Sequence, residues 1–501
     1  ADAVRPDGTA RHQDRGMRAA RAARAGSRSK LPLLLASGVL AGAAAAAAAG
    51  IGYLQAEGIA PRMLAPYIAK RSSGHNGLIT GTGTWVAQTL MRLDRGIPEP
   101  YVLPALALGA RDEPIPQRPA ANVRHVATVE ELRAAMVLAQ AGDAITLAPG
   151  TYTVLRKALD ARASGNATLP ILVRAEQPGT VMLDISTREG IVVAGPWWRF
   201  ENLNLRGTCR NHDDCEHAFH VVGGAHHFAA VNNTLVDFNA HFKINGVRGQ
   251  FPDHGRIESN TLRNESARKT RAPVTPIDLV AASDWAIRGN LIADFIKLGG
   301  DGVSYGAFAK GAGARTVFEG NAVLCEERLR GTRGQRVGLS LGGGGTGKPY
   351  CRDGRCITEQ EEGVIRNNLI ASCSDVGIYV NSGARSRIVH NTLLDTAGID
   401  VRFPESSADV EGNLVDGGVR SRNGGQIRSQ DNLVTPVGLL YLGLHPQRGH
   451  FVEPGSLDLR WDGEAERREV TEATPDLCGK ARPAQAAYGA FEDFKACLAP
   501  R

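Results

Sequence analysis

The first feature of this sequence that could do chemistry is a line of polar side chains carried by short alternating segments. Equivalent positions hold His220, Lys243, Asp278, Ser304, Ser340, Tyr379, Asp400 and Arg420, and two residues further along stand Asn245, Asn381, Arg402 and Arg422. Their flanking residues are apolar, as in Phe242 and Ile244, Ile277 and Leu279, Leu339 and Leu341, Ile378 and Val380, and Ile399 and Val401. Side chains of a strand alternate between its faces, so the apolar set points to a core and the polar set outward. The outward set contains bases, cations and carboxylates together. Removing a proton beside a carboxylate calls for a base and a cation at once, because the carboxylate charge must be neutralised before that proton becomes acidic. Tyr379 and Arg402, with Asn381 and Asp400 as binding groups, form a first candidate cluster, which Arg420 extends. His220 and Lys243, with Asp278 as a binding group, form a second. The blander reading of each cluster is surface decoration.

Repeats identify the elements that carry these residues. An Asn followed by aliphatics recurs at Asn202, Asn233, Asn260, Asn290, Asn321, Asn368, Asn391, Asn413 and Asn432. Stacked asparagines can hydrogen-bond along a ladder at the strand spacing of roughly 4.8 Å, and Asn tolerates bent turns. Between them lie strands, most of them led by Gly, with first inward residues at 191, 219, 242, 277, 303, 339, 378, 399 and 419. The shortest intervals, such as 219 to 242, 378 to 399 and 399 to 419, span 20 to 23 residues and match one bare coil of a solenoid. Longer intervals are coils with loops. The Leu-x-x-Leu-x-Leu spacing of a leucine-rich horseshoe is missing. The expected fold is all-β, a right-handed parallel β-helix over residues 122–435. A helix from Thr128, with a Thr cap and an acidic first turn, should cover its open end.

The remaining chain divides into three parts. Residues 1–55 are read as an N-terminal extension with a signal peptide or signal anchor. Met17 opens a sensible start, Arg18, Arg21, Arg24, Arg28 and Lys30 make a basic flank, and residues 31–54 are uncharged. Residues 1–16 then belong to an over-extended reading frame. The apolar run reaches the length of a membrane span, about 20 residues, so it is a candidate membrane anchor, with the rest of the chain periplasmic or extracellular. Residues 56–121, punctuated by Pro61, Pro66, Pro98, Pro100, Pro104, Pro114, Pro116 and Pro119, are read as an extended tether with one short helix near Trp85–Leu93. Residues 436–501 form a C-terminal cap or tail with Cys478 and Cys497. The eight cysteines fit an oxidising compartment, paired as Cys209–Cys215, Cys351–Cys356, Cys478–Cys497 and Cys325–Cys373; free thiols are the alternative. A net charge of +6 demands no nucleic-acid partner.

Loop-bearing coils frame the polar face. Residues 267–271 (Ala-Arg-Lys-Thr-Arg) and the Arg-rich stretch from Cys325 to Arg336 would draw in an acidic polymer. The segment from Ala141 to Tyr152, with its Gly-Asp, strand and Pro-Gly-x-Tyr, resembles the opening of the pectin-lyase-like β-helix. With residues 169–181 and 197–207, it is similar to polysaccharide lyases of the chondroitinase B and alginate lyase type, a likeness spanning roughly residues 122–435. The resemblance implies β-elimination on a uronate-containing, acidic polysaccharide. It further implies a cation, often Ca2+, on the carboxylate, a Lys base and an Arg one coil later. Gly398-Ile-Asp-Val-Arg402-Phe403 puts Arg402 where that Arg would stand, whereas the Lys would fall at Asn381 or Ser382 and the calcium-binding Glu pair is missing. The base is therefore expected at Tyr379 or Lys243. A non-catalytic carbohydrate-binding or structural solenoid of the cell envelope is the alternative, with a uronate epimerase, on the half-motif Asp253-His254, as a third.

Other signals are weaker. Gly342 to Lys348 imitates a phosphate loop, but Pro349 stands where Ser or Thr should follow. His212, His217, His220, His226 and His227, near Cys209 and Cys215, match no zinc spacing, and a disulfide-closed loop is the simpler reading. Glu326-Glu327 could hold a cation or pair with Arg328 and Arg330. No metal ligand set is assigned.

Overall fold

The computed structural model describes residues 31–97, 104–113, 120–343, 345–470 and 474–498, with the side chains of residues 31–41 and 43 excepted. The basic flank before Leu31 and Pro98, Pro100, Pro114, Pro116 and Pro119 lie outside the described residues. Residues up to Gly50 form one unit, which holds most of helix α1 (Leu31–Ala56), and residues from Ile51 onward form the other. Among the described residues, no helix is long and apolar enough to cross a membrane.

The second unit is the right-handed parallel β-helix expected. Three long sheets of twelve, ten and eleven strands run its length, and each complete coil contributes one short strand to each sheet. Every neighbouring pair in these sheets is parallel and in register, as in Phe242↔Ile277 and Ile378↔Ile399. The inward residues Phe242, Ile244, Ile277, Leu279, Leu339, Leu341, Ile378 and Val380 are wholly buried in a single continuous core. Helix α4 (Val129–Val137) covers the first coil, and its Thr128 and Glu131 form a reciprocal capping box.

The corner between the twelve- and eleven-stranded sheets shows why Asn recurs. Each ladder Asn uses its side-chain oxygen to accept from the preceding coil's Asn, both from its main-chain N–H and from its side-chain amide. Asn290 Oδ1, for example, lies 2.8 Å from Asn260 N and 3.1 Å from Asn260 Nδ2. The ladder runs from Asn233 to Asn432. From Asn233 to Asn413 its residues are wholly buried, so these bonds satisfy polar groups that water cannot reach. The residue before each ladder Asn has a positive φ (Asn232, Ser259, Gly289, Gly320, Asn367, His390, Gly412, Asp431), which makes the corner. Asn202 proves to be such a corner residue, φ 60°, and Leu203 takes the ladder place, its N–H donating to Asn233 Oδ1.

Two sequence expectations are corrected. The stretch read as a Pro-rich tether contains two packed helices, α2 (Pro61–Ser72) and α3 (Gly77–Arg95). Pro61 sits at the first helical position, where its missing N–H costs nothing, and Asn76 caps α3 by accepting from Ile79 N. The ends of both helices are fastened to the solenoid by buried charge. Arg62 bonds Asp94 and donates to Cys373 O at 2.8 Å, while Arg95 pairs with Asp395 and Glu326. Further on, residues 107–111 run along the coil corners, where Gly109 N donates to Gly289 O and Arg111 N to Asn232 Oδ1. The second correction concerns strand phase. The strand after Gly302 extends over Val303–Lys310, and Ser304 pairs with Arg336, so Phe308 rather than Ser304 stands beside Asp278 and Ser340. The glycine that stacks with Gly338 is Gly306, where a Cβ would meet Gly338 O at 2.8 Å.

The four disulfides pair as the spacing suggested. The C-terminal segment packs Phe451, Leu459, Phe491 and Phe494 against Leu324, Leu369 and Leu414 on the outside of the eleven-stranded sheet.

Candidate functional site

The ten-stranded sheet carries the predicted polar column, and its middle coils open into a cleft of about 810 Å³. Lys243, Asp278 and Lys310 come up from three consecutive strands as its floor, in the register Lys243↔Asp278 and Val280↔Lys310. Residues 246–251 form one wall and residues 345–354 the other. Arg352 ties the walls together: it donates to both oxygens of Asp253, at 2.7 and 2.9 Å, and lies 4.4 Å over the Phe251 ring. Gly345, Thr346, Gly347 and Lys348, the end of the glycine-rich stretch, therefore line a cleft wall. Asp253 is committed to Arg352 and to Ser283 N, and His254 stacks on His227.

The floor is electrostatically uneven. Lys243 Nζ pairs with Asp278 Oδ2 at 2.9 Å, and Asp278 Oδ1 is buried with no hydrogen-bond partner. Lys310 stands 4.2 Å over the Phe308 ring. Burial pushes the Lys310 ammonium below the ordinary lysine range against the pull of Asp278, and Lys243 pushes it the same way. An amine so placed spends more time neutral, which is what a general base requires. Lys310 and Phe308 were missed in the sequence because the strand was phased on Gly302. The signal was the alternation Gly306-Ala-Phe-Ala-Lys310, which keeps Ala307 and Ala309 inward and wholly buried.

His220 joins this cleft through its neighbour. Its Nε2 lies 2.8 Å from Asn245 Oδ1, and Asn245 lines the cleft; its Nδ1 lies 2.7 Å from Glu189 Oε1. The first cluster meets a different environment. Tyr379 is buried in an apolar group with Ala60, Val437 and Leu440, and its hydroxyl is 3.3 Å from Arg402 Nη1. Asp400 is 1% exposed and held by Arg420 at 3.0 Å and Arg422 at 2.8 Å. Arg420 in turn donates to Gly58 O at 2.9 Å. Asn381 is buried beside Arg402, its Oδ1 without a partner. The structure thus brings Tyr379, Asp400, Arg402 and Arg420 together, and covers Tyr379 and Arg420 with the segment that leads into α2. Glu326 pairs with Arg95 and Arg336, so it serves the helix anchorage.

A cation is what the sequence resemblance implies. The carboxylates in the cleft do not make a calcium site. Asp278 is paired with Lys243, and the neighbouring Glu359 accepts from Thr346 Oγ1 at 2.9 Å; calcium needs about six to eight oxygens. Among the described residues, the one group of three metal-ligating side chains is Glu189, His217 and His220.

The class defined by this fold is the parallel β-helix with an outward cleft on one sheet. No family model matches the sequence, and no curated protein matches it. Among solved structures, pectate lyase Pel9A is similar over 78% of this chain and 98% of its own, with a TM-score of 0.53 and 15% identity. An alginate lyase from Paenibacillus sp. is similar over 63% of this chain and 96% of its own, with a TM-score of 0.39 and 16% identity. The likeness to Pel9A is one of fold.

Proposed function

We propose that the cleft over Lys243, Asp278 and Lys310 takes an acidic, uronate-containing polysaccharide and cleaves it by β-elimination. The observation that carries this reading is a partly buried lysine of lowered proton affinity beside a second cation and an unpaired carboxylate oxygen. In this reading Lys243, with Arg248 on the wall, faces the uronate carboxylate and neutralises it. Neutral Lys310 takes the proton from the carbon beside the carboxylate. That electron pair forms the new carbon–carbon double bond, the bond to the glycosidic oxygen breaks, and the departing oxygen takes a proton from water. Asp278 Oδ1 accepts from a sugar hydroxyl. No step passes through calcium. The fold it shares with a protein named as a pectate lyase supports a polysaccharide as the ligand. The basic flank, the apolar run and four disulfides support export to the periplasm or cell exterior, with residues 31–54 as signal peptide or anchor.

Incubation with pectate, alginate and chondroitin, followed by the absorbance of new unsaturated ends, tests the reading. Binding without any such product would make the solenoid a non-catalytic binder. A change in uronate stereochemistry without chain shortening would make it an epimerase.

A further inference from the structure

The strands that open the ten-stranded sheet bring Glu189, His217 and His220 together from successive coils, with Glu189 directly opposite His217. All three ligand atoms lie within 4.8 Å of one another. His217 Nδ1 is 3.8 Å from Glu189 Oε1, and His220 Nδ1 is 2.7 Å from the same oxygen. Tetrahedral zinc, with bonds of about 2.0–2.1 Å to nitrogen or oxygen, separates its ligands by roughly 3.3 Å, so small side-chain rotations suffice to admit an ion.

Hydrogen bonding points the free lone pairs into this space. Asn245 Nδ2 donates to Gly246 O at 3.2 Å, which turns Asn245 Oδ1 toward His220 as an acceptor. The proton of His220 therefore sits on Nε2, and Nδ1 presents a lone pair to a carboxylate oxygen. Two facing lone pairs at that distance need a cation between them, either a second ring proton or a metal. His217 supplies the independent observation: its Nδ1 is buried, has no hydrogen-bond partner and faces the same oxygen. Its other nitrogen lies 3.7 Å from Glu216 Oε1. Each imidazole thus has an acceptor near one nitrogen and leaves the other for the pocket, the outer-shell arrangement that orients metal-binding histidines.

We infer that Glu189, His217 and His220 bind a divalent transition ion of the zinc class, with one coordination position left open. Two imidazoles and one carboxylate suit zinc, and they do not suit calcium, which takes oxygen. The site stands on its own geometry and does not depend on the elimination chemistry proposed for the cleft.

The test is equilibrium dialysis and calorimetry of the whole chain, stripped with chelator, against zinc chloride and separately calcium chloride. About one zinc per chain is expected, with no comparable calcium uptake. Cobalt in place of zinc should give the visible absorption of a low-coordinate ion. Asn245→Ala should weaken zinc by about 10–100-fold by releasing the His220 ring, and Glu189→Gln and His217→Ala should weaken it at least as much. Failure of the wild-type chain to take up stoichiometric zinc would overturn the site. So would uptake unchanged in both Glu189→Gln and His217→Ala, with circular dichroism showing both variants folded.

Discussion

Lys243 Nζ stands 2.9 Å from Asp278 Oδ2 on the next strand, and the carboxylate's other oxygen is left unbonded. Asp278 is 4% exposed, and Lys243 is its ion-pair partner. Removing the lysine alone should cost about 3 kcal/mol, because it strands a buried anion. Lys243→Met combined with Asp278→Leu should recover most of that loss in urea denaturation. A double variant no more stable than Lys243→Met would show that the pair is not coupled.

Lys310→Met should lower the elimination rate by about 10²–10⁴-fold, the usual worth of a general base, with little change in KM. Because the neutral amine is the active form, the wild-type rate should climb as pH rises through the Lys310 pKa. That limb should come at lower pH than an ordinary lysine would give, since burial disfavours the ammonium. A rate that stays flat across this range in the wild type would remove Lys310 from the role.

The fold itself should be acid-sensitive. His241 and His390 are pushed down to about 3 by burial, and in the unfolded chain they titrate at the ordinary histidine value of 6.5. Between those values the unfolded state binds protons that the folded state does not. Each residue's contribution is therefore complete above the unfolded value and falls by about 1.4 kcal/mol per pH unit as pH drops toward 3. His241→Gln should flatten part of this slope in Tm measured against pH, while keeping the donor that reaches Arg263 O at 3.1 Å.

Asn321→Leu should cost about 2–5 kcal/mol. Asn321 Oδ1 accepts from Asn290 N and Asn290 Nδ2, and Asn321 Nδ2 donates to Ile287 O, so the change strands buried partners on both sides. Leu203 shows that an aliphatic is accepted at the first rung, where no earlier Asn needs it. A loss below about 1 kcal/mol in chemical denaturation would mean that the ladder is not a main source of stability.

Asp395→Ala should free α2 and α3 from the solenoid. Asp395 is approached by Arg62, Arg95 and Arg330 at 3.0–3.1 Å, and breaking a buried ion-pair network by removing the carboxylate these arginines share costs about 3 kcal/mol. Limited proteolysis should then cut between residues 60 and 97 while the solenoid stays resistant.

The architecture is legible in the sequence because its signals are local. The Asn ladder and the 20-to-23-residue return both follow from one coil repeating the same backbone path. Disulfide partners were legible for a related reason: three of the four pairs lie within 19 residues of each other. Helix α2 was hidden by its prolines, since Pro61 marks a helix start as readily as a spacer, whereas the short helix read near Trp85–Leu93 proves to be the second half of α3. The cleft was half-read: Lys243, Asp278 and His220 fell in the correct column, but Lys310 did not.

Outside the Val303–Lys310 strand, the sequence by itself determined the coil, its inward residues and the identity of the outward columns, because alternation and repeat length are properties of a strand and its turn. Only the tertiary structure decided which outward residues are open to a ligand. Tyr379 and Arg420 lie under the segment leading into α2, more than 300 positions away in sequence, and Lys243 and Lys310 lie between loops whose lengths no periodicity records. Glu189, His217 and His220 meet for the same reason. Their approach depends on how many residues each coil spends before returning to the sheet, and that number is settled by packing across coils rather than by any one segment.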